Sequence, residues 1–306
     1  PTQLGQMVNL NSRFYLHSNK LCDDVPYEVQ ALSSGVNQWY VTTDNSFGTM
    51  CGFADDSRFG FPTSTVTSID YNQQGLTGTI PTQFGLLTEA TYLNLGRNSF
   101  TSSVPTELGL MTAVTDGGSW GLLLSNKLSS SLPTELGGMT ALAQEASVRV
   151  NSFQGAIPTE LGRWTALTYY FGLAENSFTS SIPTQLGQMT KLTKTFYLNS
   201  NKISSSIPTQ LGQMSEMSTG FALYSNSISS SIPTQLGQMS EMTAAFLLNS
   251  NSISSSIPTQ LGQMSEIACC FDLSSNSISS SIPTQLGQMS EMTAAFLLNS
   301  NSISSS

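Results

Sequence analysis

One 25-residue unit, IPTQLGQMSEMTAAFLLNSNSISSS, fills residues 232–256 and returns letter for letter at residues 282–306. Weaker copies fill most of the chain before it. A unit this short cannot bury its own apolar face. It must stack on its neighbours, so the chain is confined to repeat architectures. Proline marks the period. Pro133, Pro158, Pro183, Pro208, Pro233, Pro258 and Pro283 stand 25 residues apart, whereas Pro81 to Pro105 is 24 and Pro105 to Pro133 is 28. Between Pro26 and Pro81 lie 55 residues in which the pattern is degraded.

Asparagine marks the period a second time, at Asn19 and then Asn98, Asn126, Asn151, Asn176, Asn201, Asn226, Asn251, Asn276 and Asn301. Three residues before it sits an apolar side chain such as Leu173, Leu198 or Leu223, and five before it usually another, as in Phe171, Phe196 and Phe221. Apolar residues alternating with polar ones predict a short strand with one buried face. The asparagine follows where the chain turns inward. A buried amide there needs partners and can bond the backbones of adjacent coils, forming a ladder. Past it, SISSSIP ends in a proline that lacks a donor and holds its neighbour extended. Leu211, Met214 and Met217 then recur every third residue, which suits a short 3-10 turn on the outer side.

These columns resemble the plant-type leucine-rich repeat, LxLxxNxLxGxIPxxLG, and GLTGTIPTQFG at residues 75–85 is similar to it almost position by position. The resemblance covers about residues 66 to 306 and residues 1 to 26. It implies a curved solenoid of the α/β class, with a parallel sheet on the concave face and 3-10 or turn segments on the convex one. The usual glycine is mostly serine here, as in Ser204-Ser205-Ser206, and most units carry one extra residue before the strand. Near-identical Ser-rich copies of this kind resemble the expanded repeat families of algae and other protists. The expected organisation is the end of an upstream array with a degenerate terminal unit (residues 1–52), a linker or entry segment (53–65) and an array of about ten repeats (66–306), open at its C-terminus and read as a fragment. An alternative is one continuous solenoid with an irregular island. Cys22 and Cys51 are a candidate disulfide sealing the upstream array, while the adjacent Cys269 and Cys270 are expected to be free.

Only 9% of the residues are charged and the net charge is −9 with no basic cluster, which disfavours nucleic acid and anionic membranes as partners. No apolar run approaches the roughly 18 residues of a membrane span. A single histidine, His17, and scattered carboxylates leave no catalytic or metal-binding constellation, so neither an enzyme nor a cofactor is expected. Positions two, four and six before each asparagine should line the concave face. From those columns come Tyr92, Trp120, Arg149, Tyr170, Tyr197 and Tyr224, with Arg97 and Glu175 one residue before the asparagine. Aromatic residues and arginine are common interface anchors, so these eight form the candidate ligand site. The expected function is recognition of a protein or peptide, in a receptor-like or secreted protein at or outside the cell surface. The absence of any N-x-Ser/Thr sequon weakens an ordinary glycosylated route. A structural or adhesive array, self-associating through its open ends, is the alternative from a different class. An ice-binding array of serine hydroxyls is a minor one.

Overall fold

The computed structural model describes residues 66–118 and 121–304, together with the backbone of four short strands nearer the N-terminus. Trp120, Cys51, the side chain of Cys22 and the segment 53–65 lie outside the described residues. The four short strands pair in parallel, coil to coil. Arg13–Tyr15 runs beside Gln38–Tyr40 with Phe14 opposite Trp39, and Cys22–Asp23 runs beside Ser46–Phe47. A stacked coil therefore exists inside the stretch where the proline spacing loses the repeat. Asn45, 26 residues after Asn19, marks it in the sequence.

From residue 66 onward the chain is a leucine-rich-repeat solenoid. The concave strands are three residues or fewer. Seven of them, from Glu145–Ser147 through Tyr170–Gly172, Thr195–Tyr197, Gly220–Ala222, Ala245–Leu247 and Phe271–Asp272 to Phe296–Leu297, form one parallel sheet in chain order. Each residue pairs with the one 25 positions on, so Phe171, Phe196, Phe221, Phe246, Phe271 and Phe296 fall into one column. Their rings stack 5.2 to 5.6 Å apart, tilted by only 11° to 19°. All of these rings except Phe296 in the last coil are buried. Leucine, isoleucine and methionine columns complete a continuous apolar core.

One feature goes beyond the repeat pattern. The SISS segments are strands, and they form a second layer of parallel sheet: Ser204–Ser205, Ser227–Ser230, Ser252–Ser255, Ser277–Ser280 and Ser302–Ile303 pair in order, and an equivalent five-stranded sheet runs through the earlier coils. The outer turns are all 3-10 helices of five residues, such as Thr209–Gln213, and the described residues contain no α-helix. Each starts after a proline with φ near −62°, for example Pro183. That ring presets φ, and its missing N–H is one the helix start would leave unpaired. The glycine of each LGQ segment is there for space. A Cβ on Gly212 would run into the carbonyl of Gln235 in the next coil. Only a residue without a side chain lets consecutive outer turns approach so closely.

The asparagines bond across coils. In one rung the Asn226 Nδ2 donates to the carbonyls of Leu198 (3.0 Å), Leu223 (3.0 Å) and Tyr224 (3.4 Å), and its Oδ1 accepts from the Ile203 N–H at 3.0 Å. The same pattern holds at Asn98, Asn126, Asn151, Asn176, Asn201, Asn251, Asn276 and Asn301. The residue before each asparagine is left-handed, as at Ser225 with φ 53°. That turn aims the amide inward, beneath the strand. Replacing Asn226 with Ala strands an N–H of the previous coil and carbonyls of two coils. We expect a loss of about 1–3 kcal/mol in chemical denaturation; a midpoint equal to that of the wild type would remove the ladder from the stability of this array.

Candidate functional site

Among the described residues the run of concave strands is interrupted once, although backbone bonds from the Leu95 N–H to the Leu122 carbonyl and from the Leu123 N–H to the Ser147 carbonyl still join the coils there. Ser68–Asp70 pairs with Tyr92–Asn94, and Asp116 adds a single bridge to Tyr92. The next concave strand begins only at Glu145. The break falls in the coil with the 28-residue proline interval, whose extra residues include Gly117, Gly118 and Gly121. Gly118 and Gly121 have φ of 77° and 84°, conformations that favour glycine. A Cβ on Gly118 would also strike the Tyr92 hydroxyl and the Asn94 amide. The break opens a basin of about 630 Å³, lined by Asp116, Gln144, Glu145, Arg149, Tyr169 and Tyr170 among others.

On one side of the basin the expected residues meet. Arg149 Nη2 forms an ion pair with Glu175 Oε1 at 2.6 Å, and Arg149 Nη1 donates to the Tyr170 hydroxyl at 3.1 Å. The guanidinium also lies 5.9 Å from the centre of the Tyr197 ring, within cation–π reach. Tyr170 and Tyr197 meet edge to face at 5.8 Å. The two rings lie down on the sheet because glycine is beneath them: a Cβ on Gly172 would enter the Tyr170 ring, and one on Gly220 would press on the Tyr197 ring. Burial raises the hydroxyl pKa of both tyrosines; Arg149 lowers it in each but does not cancel the rise. Burial pulls the Arg149 pKa down, yet the bonds to Glu175 and Tyr170 outweigh it and the net shift is upward. Arg149 is therefore a cation already matched to an anion and to a tyrosine hydroxyl before any ligand arrives, while its buried Nε has no hydrogen-bond partner.

Tyr224 adjoins Tyr197 and extends this cluster by one coil. Tyr92 and Arg97 stand on the other side of the break, and Arg97 occupies a left-handed position with φ 54°. Not all concave positions are open to solvent. Ser147, Ala174, Ala222 and Asn199 are buried. They are short side chains in a sheet whose taller neighbours lean over them.

Asp116, Gln144, Glu145 and Tyr169 were not among the sequence candidates. Glu145 lies six residues before Asn151, in a flagged column, so its signal was present. Asp116 is ten residues before Asn126, because the lengthened coil disrupts the count. Tyr169 precedes the strand and is 48% exposed. Burial raises the Glu145 pKa, and the nearby negative charge of Asp116 raises it further. Among the described residues no hydrogen bond or ion pair holds the Glu145 carboxylate.

No family model matches this chain, and no curated protein matches it. Solved structures do. A TDR receptor is 23% identical with a TM-score of 0.68, over 98% of this chain and 45% of that one. The plant peptide hormone receptor RGFR1, in complex with RGF2, is 24% identical with a TM-score of 0.61, over 99% of this chain and 50% of that one. A plant ice-binding protein is 20% identical with a TM-score of 0.52, over 85% of this chain and 90% of that one. The chain thus spans half or less of the length of these two receptors. Its fold is the plant-type leucine-rich repeat.

The raised Glu145 pKa gives a signed expectation. A carboxyl whose pKa is higher in the folded state favours folding when protonated and opposes it once ionised. Glu145→Gln removes that opposition. Its melting temperature is therefore expected to exceed that of the wild type near neutral pH. The gap should close as pH falls below the ordinary glutamate value of 4.5. A gap unchanged between pH 3 and pH 7 would show that ionisation of Glu145 costs the fold nothing.

Proposed function

We propose that this chain is a non-catalytic recognition scaffold that binds an extended protein or peptide along its concave face, in a receptor-like or secreted protein at or outside the cell surface. The observation that carries this reading is the preformed cluster of Arg149, Tyr170, Glu175, Tyr197 and Tyr224. It combines flat aromatic surface with a charge pair, and the side chains of Arg149, Tyr170, Glu175 and Tyr197 already contact one another. Little rotamer entropy is then lost on binding, so more of the contact energy remains as affinity. The similarity to a plant peptide hormone receptor supports the same reading. The later, near-identical coils place Ala245, Leu247, Ala295 and Leu297 in the same columns, so a distinctive patch exists only around the earlier coils.

A display library of random 12-residue peptides, panned on the immobilised chain, tests this. Enriched peptides are expected to lose about tenfold or more in affinity on the double variant Tyr170→Ala/Tyr197→Ala, with the far-UV spectrum unchanged. Enrichment that is equal on the double variant would remove the concave cluster as the site.

A second reading concerns the serine sheet. Ser227, Ser230, Ser252, Ser255, Ser277 and Ser280 are exposed, on parallel rungs about 4.8 Å apart. None of their hydroxyls bonds to protein among the described residues. Ser230, Ser255 and Ser280 hold φ of 70° to 72°, where glycine would be less strained. A regular, uncharged hydroxyl lattice of this kind suits an ordered water surface, and the similarity to a plant ice-binding protein accords with it. If so, the chain produces thermal hysteresis that Ser230→Tyr/Ser255→Tyr abolishes. A freezing point equal to the melting point in the wild type would end this reading.

A further inference from the structure

The basin at the sheet break is electrostatically unfinished on its acidic side. Its cation, Arg149, is matched by Glu175 and by the Tyr170 hydroxyl. Its two other charges, Asp116 and Glu145, are both negative, and Asp116 lies close enough to oppose the ionisation of Glu145. Asp116 Oδ1 accepts the Gly118 N–H at 2.8 Å, which fixes its carboxylate at the basin edge. Among the described residues Arg149–Glu175 is the one ion pair, so neither basin carboxylate has a basic partner. Tyr169 and Tyr170 supply an aromatic wall next to them, with Tyr169 exposed to 48%. A half-buried like-charge pair lowers stability. The same carboxylates beside aromatic faces are a receptor for a positive group, which would gain charge-assisted hydrogen bonds and cation–π contact together.

We propose that the basin between Asp116 and Tyr170 receives a cationic side chain of the ligand, the guanidinium of an arginine or the ammonium of a lysine. This rests on the peptide-recognition reading and narrows it. The ligand lies along the concave face, its apolar or aromatic residues over Tyr170, Tyr197 and Tyr224, and its basic residue drops into the break beside Asp116 and Glu145. Charge complementarity selects this occupant. The chain carries a net charge of −9, so a basic ligand is also steered toward it. An acidic side chain would add a third negative charge to a basin whose one cation is already paired.

The test uses the 12-residue peptides selected on the wild-type chain, each synthesised twice: as selected, and with its arginine replaced by citrulline or its lysine by norleucine. Both replacements remove the charge; citrulline keeps the length of arginine, and norleucine is one atom shorter than lysine. Affinities are measured for the wild type, Glu145→Gln and Asp116→Asn in a double-mutant cycle. We expect most enriched peptides to carry a basic residue. Glu145→Gln should weaken the charged peptide about tenfold and leave the neutral peptide within about twofold, and Asp116→Asn should behave the same way. Raising the salt from 50 mM to 500 mM should erase most of the difference between the charged and neutral peptides. Three results overturn the proposal: peptides that depend on Tyr170 and Tyr197 but carry no basic residue, losses in the cycle that simply add, or a Glu145→Gln chain that melts well below the wild type at neutral pH, which would make Glu145 a structural residue. Each of these leaves the wider reading standing. That reading fails separately, if enrichment does not depend on the two tyrosines at all.

Discussion

The structure depends on how closely one coil can approach the next. Each coil of this array presents backbone on both sides, and its polar groups must be paired with those of its neighbours or be stranded. The asparagine ladder does this on the inner turn, where one side chain bonds carbonyls of two coils and an N–H of the coil before. The glycine column does the corresponding work on the outer turn, by leaving out the atom that would hold the coils apart. The stacked phenylalanines fill the space between. Asparagine, glycine and phenylalanine answer to the same constraint, which is a fixed separation repeated along the axis.

That constraint also explains why the functional reading concentrates where the repeat is imperfect. A regular coil presents the next coil with a copy of itself, so its concave surface has little freedom to be distinctive. The coil after Pro105 is longer, shows no concave strand among its described residues and borders a basin. Residues of the next three coils, Arg149, Tyr170, Glu175 and Tyr197, crowd the near edge of that break and hold one another there. Glycines at 172 and 220 give the tyrosine rings room to lie flat. The cluster is therefore built from departures on both levels, a change in coil length and changes at single positions.

Much of the fold was legible in the sequence because period and residue type carry the same information twice. The proline and asparagine spacings set the coil length, and the apolar positions before the asparagine set the buried face. The serine segment was legible only as an extended stretch. That it becomes a second sheet depends on the segment of the adjacent coil lying at bonding distance, a relation between residues such as Ser204 and Ser227 that no single coil states. The coil paired within residues 13–47 falls where the sequence reads a degenerate terminal unit, because Asn45 keeps the asparagine spacing while no proline follows it at the usual distance.

The sequence by itself determined that the chain stacks in coils, which face of each is buried and which columns look out from the concave side, because side-chain alternation and the 25-residue period are local properties. It also put Tyr170, Tyr197, Tyr224 and Arg149 on a common face. Only the tertiary structure decided that Arg149 pairs with Glu175, that a basin lies beside the longer coil, and that Asp116 and Glu145 line it without a basic partner among the described residues. Those outcomes turn on distances between coils after stacking, where an insertion of a few residues moves side chains off the columns that counting from the asparagine assigns.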